Sequence, residues 1–465
     1  MKRILIMKGT FLFIIRRFGE CADAEWRRMM KNRMNRITIA LGISLVLGLT
    51  ACGNQAIEET GASCEQEERE QEDDFDEIDL EKVAYNEESM VDGYQNYSIS
   101  LFQKCVAESN ENSNVMISPT SVMMALELVE AGAVGDTSHQ ITEMICPGAS
   151  HEEVQSFAAD MREQMNTTET VQMSVANSLW INEDRIADRM NDSYVSYVEN
   201  TFGALATTVP FDEAATTEVN NWVSENTNGM IDQIVDRLSE DACLLLVNAI
   251  AFEGEWEQPY EEHQIEDGEF SNSDGSVSDV TMLNGNSDVY YETENATGFI
   301  QYYSGQEYAF VAMLPKENQS ANEFAAFLTA DSYQEFIDSA SYDYMVVTQM
   351  PEFKSEFDME MNNVLCNEMG ITDAFNPETA NFSGIADISE GNLYINRVLH
   401  KTFIELDRNG TRAAAVTAIE MKENCCVVEE SVIKEVILDR PFAYAIVDTE
   451  TMTPIFIGTM NVIEE

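Results

Sequence analysis

Hydrophobic positions along this chain change period between its first half and its second. Ser118-Pro119-Thr120-Ser121 offers serine caps and an early proline before the apolar run 122–128, and Gly132 closes it, which predicts a helix. Later apolar runs are short and predict strands at 243–252, 310–314, 344–349, 393–398 and 455–462. Helices first and many strands later point to one large α+β domain from about residue 90 to 465, not to alternating βαβ units. No internal repeat interrupts it.

The segment 411–422 has a rhythm of its own. Thr411, Ala413, Ala415, Thr417, Ile419 and Met421 form one alternate set, small or apolar throughout. Arg412, Ala414, Val416, Ala418, Glu420 and Lys422 form the other, which turns polar at its end. Period two predicts a half-buried strand. The inward set opens with very small side chains, as a strand sliding between existing strands requires. An exposed Ala-rich helix is the competing reading, and Thr and Val count against it.

Upstream, an uncharged and mostly apolar run at 37–49 follows Lys31, Arg33 and Arg36 and ends on Leu49-Thr50-Ala51-Cys52. A basic start, a short apolar stretch and small residues before a cut describe an export signal over residues 1–51. Ending on cysteine, it resembles a bacterial lipoprotein signal. Cys52 is then expected to carry the lipid and hold the protein outside the cell, on the bacterial surface. Residues 1–33 read as an upstream extension, with translation starting at Met29, Met30 or Met34. From 52 to 89 the chain is strongly acidic, and like charge with low hydrophobicity predicts a disordered tether.

Charge sharpens the picture of partners. From Cys52 onward, 16 basic residues face 81 acidic ones. Such a chain repels nucleic acid and anionic headgroups, so contact with a membrane is expected through the lipid alone. The cysteines of the mature chain are scattered, with no CxxC spacing, and make a poor disulfide framework.

Catalytic motifs are missing. The sequence has four histidines (His139, His151, His263 and His400) and no HExxH, Walker loop, GxGxxG or GxSxG. Glu405-x-Asp407-x-Asn409-Gly410 resembles the start of a calcium loop, but Val416 stands where a bidentate Glu is required. No catalytic residue, metal or cofactor is assigned, and the chain is not expected to be an enzyme. Ser118, Ser121, Asn248 and His400 read better as a buried hydrogen-bond cluster than as hydrolase machinery.

Gly-Thr-x-Ala-Ala-Ala-x-Thr at 410–417, followed by Leu438-Asp439-Arg440-Pro441-Phe442, resembles the hinge and C-terminal signature of inhibitory serpins. Asn114-Val115-Met116-Ile117-Ser118-Pro119, Ala176-Asn177-Ser178-Leu179-Trp180, Asn220-Asn221-Trp222-Val223 and Asn248-Ala249-Ile250-Ala251-Phe252-Glu253-Gly254-Glu255-Trp256 are similar to further motifs of that family, in the expected order. Arg408 and Arg412 depart from it, standing where the family usually or often has an acid.

The resemblance implies a serpin-like fold: helices packed on a large, mainly antiparallel central sheet with an exposed reactive-centre loop. It implies a hinge at Gly410, Thr411, Ala413, Ala414 and Ala415. It assigns Ser118, Ser121, Asn248 and His400 to the shutter where the sheet opens, and Trp256 to the breach at its top. The implied partner is a peptidase, serine class with cysteine class as a second option, trapped by a monomeric suicide substrate. A carrier or adhesion role on the same fold is the alternative. Counting about fourteen residues forward from Gly410 puts the reactive bond at Asn424-Cys425. Counting back from Pro441 gives Glu430-Ser431. The forward count is preferred, because the sheet fixes the length of an inserting strand while the far side of a loop tolerates insertion.

Overall fold

The computed structural model describes residues 83–165, 171–240, 242–316, 320–388, 392–411 and 432–464. Its helices are α1 (Glu87–Glu108), α2 (Pro119–Glu130), α3 (Asp136–Ile145), α4 (His151–Met165), α5 (Asp192–Phe202), α6 (Glu213–Asn226), α7 (Ala321–Ala326) and α8 (Ala330–Asp338). The first strands are β1 (Val115–Ile117), β2 (Val171–Asn182), β3 (Ile186–Met190), β4 (Leu205–Val209), β5 (Leu244–Glu255), β6 (Ile265–Ser271), β7 (Val277–Ser287), β8 (Tyr290–Glu292) and β9 (Ala296–Tyr302). They are followed by β10 (Tyr308–Pro315), β11 (Tyr344–Pro351), β12 (Phe353–Glu360), β13 (Ala386–Ile388), β14 (Ile395–Asp407), β15 (Gly410–Thr411), β16 (Val432–Ile437), β17 (Phe442–Asp448) and β18 (Pro454–Met460). This is the α+β architecture expected of the sequence.

The main sheet has the order β12-β14-β15-β5-β2-β4. A second sheet runs β1-β18-β17-β10-β9-β8, and a third runs β16-β11-β7-β6. Both faces of the main sheet are covered, which explains why β5 reads as an unbroken apolar run. Leu244, Leu246, Ile250 and Phe252 face the large core shared with α2, while Leu245, Val247, Ala249 and Ala251 face a smaller cluster with Val219 and Val223 of α6. Every residue of α2 is buried. Ser118 caps that helix, its side chain accepting the Ser121 N–H, and Pro119 takes the first turn, where its missing N–H costs nothing.

Most strand ends fall within about three residues of the sequence reading, and two boundaries are more informative. α1 takes in Glu87, Glu88 and Ser89, which charge alone placed in the tether. Asn86 caps it, and acids in a first turn complement the helix dipole, so acidity there favours order. Val83 N–H and Tyr85 Oη already bond Ser156 and Asp160 of α4. β14 extends to Asp407, well beyond the predicted 393–398; Lys401 and Glu405 interrupt its buried residues Thr402, Phe403, Ile404 and Leu406, so the strand carries no continuous apolar run.

Cys105, Cys146 and Cys243 are buried free thiols and Cys366 is a half-buried one. Among the described residues no cluster of His, Cys, Asp and Glu could hold a metal ion, and no helix is long and apolar enough to cross a membrane.

Candidate functional site

One junction in the main sheet is unusual. β5 and β14 run parallel and pair directly through eight register positions, from Ile395 opposite Leu244 to Phe403 opposite Ala251. Above that level they part, and β15 stands between them. Thr411 pairs with Leu406 on one side and Gly254 on the other, and Gly410 pairs with Asp407 and Glu255. Two residues thus begin an antiparallel strand inside a seam that is closed below them.

The turn into that strand is built by Asp407. Its Oδ1 accepts the N–H groups of Asn409 at 2.6 Å and Gly410 at 3.2 Å. The Asp-x-Asn-Gly run that looked like part of a calcium loop is therefore a strand-to-strand turn. Gly410 has φ +155°, and a Cβ there would lie 2.1 Å from the Gly254 carbonyl oxygen, so only glycine fits.

Trp256 closes the top of the seam. Its N–H donates to Asn409 O at 2.8 Å and its indole Nε1 to Asp407 O at 3.0 Å. The ring stacks on Tyr303, centroids 4.6 Å apart and 14° from parallel. The Tyr303 and Thr411 hydroxyls are 2.7 Å apart. Arg408 explains its own departure from the family pattern. Its backbone N–H donates to Glu352 Oε1 at 3.1 Å, and its guanidinium lies 3.9 Å from that oxygen and 3.5 Å from Glu262. The base is met by acids on the facing segments.

Below the turn, the structure brings Ser118, Ser121, Asn248 and His400 together at full burial. His400 and Asn248 are register partners across the seam, and His400 Nδ1 bonds Asn248 Oδ1 directly. His400 Nε2 accepts the Ser118 N–H at 3.3 Å. Nε2 is thus the acceptor, so Nδ1 carries the proton and the ring is neutral. Burial agrees, pushing the imidazole down to about 3. Asn248 Nδ2 faces Ser121 O at 2.7 Å, Ser121 Oγ at 2.5 Å and Asn177 Oδ1 at 2.6 Å. The first turn of α2 therefore bridges both strands of the seam.

The sequence reading missed two members. Asn177 completes the cluster from β2, a strand with several other polar residues, so nothing in the pattern singled it out. Tyr303 carries the contact to Thr411, and no periodicity pointed to it. Ala413, Ala414 and Ala415, the Asn424-Cys425 bond with its alternative Glu430-Ser431, and Cys52 lie outside the described residues.

Three large sheets, a parallel seam in one of them, a short strand at its mouth and a buried Ser-Ser-Asn-His cluster beneath it are a specific combination. The model of the family Serpin (serine protease inhibitor) matches residues 92–463. The chain belongs to the serpin family. Serpins are in general peptidase inhibitors rather than catalysts, although some do not inhibit. A serpin-like protein of Methanosarcina acetivorans is 28% identical over 437 residues, covering 92% of this chain and 99% of that one. Human antithrombin-III is 26% identical over 78% of this chain and 79% of its own length. Among solved structures, the thermophilic serpin tengpin in its native state is 34% identical with a TM-score of 0.75, over 82% of this chain and 96% of its own. Tengpin in its latent state is 32% identical with a TM-score of 0.70, over 82% of this chain and all of its own.

Proposed function

We propose that this serpin is a suicide substrate that traps a serine peptidase as an acyl-enzyme, by inserting its cleaved loop between β5 and β14. The observation that carries the reading is the hinge strand Gly410–Thr411, which already pairs on both sides of the seam mouth. Attack of the peptidase's serine on the bait carbonyl breaks the peptide bond and leaves the enzyme esterified to the new C-terminus of the long fragment. The strand beginning at Thr411 can then continue downward. Each added residue exchanges one parallel pairing for antiparallel pairing on two sides, which is more hydrogen bonding and a slightly better kind. The inward positions of 411–417 are small, which suits a strand entering between two occupied faces. Roughly fourteen residues at ~3.3 Å each carry the enzyme ~45 Å. Displacement before the ester hydrolyses is what makes the trap.

Asn424 on the acyl side suits no trypsin-like enzyme, which needs Lys or Arg there. Cleavage slipping to Cys425, Cys426 or Val427 suits enzymes with small apolar pockets. A lipid on Cys52 would hold the monomeric inhibitor at the outer surface of a bacterial cell.

The test is incubation with a peptidase panel followed by denaturing gels. A heat-stable covalent adduct is the expected result. An intact chain with every enzyme favours a carrier or adhesion role, and substrate turnover without adduct favours a hydrolase.

A further inference from the structure

The lower end of the β5–β14 seam is closed by two asparagine side chains. β14 slips by one residue there: Ile395 faces Leu244 and Arg397 faces Leu245, leaving Asn396 as the extra residue. Asn396 Oδ1 accepts the backbone N–H groups of both Cys243 and Leu244, the second at 3.2 Å. Its Nδ2 donates to the Tyr394 hydroxyl at 3.2 Å. On the other edge of β14, Asn362 Nδ2 donates to Asn396 O at 2.5 Å, and Asn362 Oδ1 accepts the Val398 N–H at 2.9 Å. That is the donor–acceptor pair a neighbouring strand offers. A side-chain amide supplies it just past Glu360, where β12 ends.

These bonds stand at a definite level of the sheet. Thr411 is level with Leu406 and Gly254. The regular register runs on down to Arg397 opposite Leu245, and the slip at Asn396 comes one step below it. A strand growing from Thr411 in its present register arrives there needing the backbone groups that Asn396 now occupies. We propose that Asn396, seated by Asn362, is a latch that an incoming strand must displace on its last rungs, and that it governs how readily insertion completes. The proposal rests on the loop-insertion reading above. Asn396 is a positioning residue in it and touches no peptidase.

The test separates the latch from the trapping activity. A synthetic peptide copying residues 411–422 is annealed to the intact protein with no peptidase present, and amide exchange is followed at Cys243 and Leu244. Asn396→Ala removes the acceptor of two N–H groups, so annealing should quicken about tenfold and both amides should lose protection. Asn396→Asp keeps an acceptor for both groups and should stay near wild type. If Asn396→Ala does not fold, Asn362→Ala is read in the same way and should shift both readouts in the same direction. Wild-type annealing and unaltered exchange in the alanine variant overturn the latch, whatever any peptidase assay gives. Faster annealing in a protein that traps no peptidase leaves the latch standing and sinks the inhibitory reading instead.

Discussion

The Thr411 hydroxyl lies 2.7 Å from the Tyr303 hydroxyl, and both side chains are fully buried. The first inward residue of the hinge is therefore already inside the sheet, held under the ring that stacks on Trp256. Thr411→Arg would bury an unpaired charge at this point, which is costly. We expect insertion to slow, the acyl-enzyme to hydrolyse first, and the loop to be cut without adduct. Wild-type stoichiometry in this variant would show that Thr411 does not face inward during trapping. Tyr303→Phe keeps the stack and loses only the hydroxyl, so the expected change is a looser hinge with little change in Trp256 emission.

His400 makes the seam sensitive to acid. Its folded value is about 3, against an ordinary value of 6.5. Above pH 6.5 the ring is neutral folded or unfolded, and the stabilising contribution is fully present. As pH falls below 6.5 the unfolded chain gains a proton that the native ring refuses. Stability then drops by about 1.4 kcal/mol per pH unit, or about 2 kcal/mol at pH 5. His151 works the other way: its bond to Glu130 raises its value, so its contribution is present at low pH and lost as pH rises through that value. Urea melts of wild type and His400→Gln at pH 7 and pH 5 isolate the first effect. The pH-dependent loss should shrink in the variant; an equal loss in both proteins would rule out His400 as its source.

The ion pairs of Arg408 invite a charge swap. Arg408→Glu would set a third carboxylate beside Glu352 and Glu262 and should loosen the hinge, seen as faster spontaneous loss of the trapping-competent form. Because the guanidinium is 40% exposed, the cost should be no more than about 1 kcal/mol. Adding Glu352→Arg should recover part of it, and no recovery in the double variant would mean that the pairing is incidental.

Legibility in the sequence followed burial. Ser118, Ser121, Asn248 and His400 were legible through the family resemblance, which assigns them to the shutter, and burial explains why such polar side chains bond one another. The alternation from Thr411 could be read because a seam covered on both faces demands small inward side chains. The roles of Asn396 and Asn362 could not, since a one-residue slip and a side chain standing in for a strand leave no periodic trace. The start of the domain was misplaced for a related reason. Acidity signals disorder in a chain with nothing to rest against, yet at Glu87 and Glu88 it serves a helix N-terminus, and Tyr85 shows that the chain is already docked.

The proposed lipid on Cys52 can be tested separately. Cys52→Ala should release the protein from the membrane fraction of cells that export it, with folding and trapping unaffected. Full retention of the variant would remove the anchor from the account.

In the proposed mechanism the cut loop becomes a strand between β5 and β14. The most direct measurement is the melting temperature of the protein before and after a single cut between residues 417 and 431. Insertion adds a fully paired central strand, so the cut protein should melt well above the intact one, and Thr411→Arg should blunt the rise. A cut protein that melts at or below the temperature of the intact chain would mean that the loop does not insert.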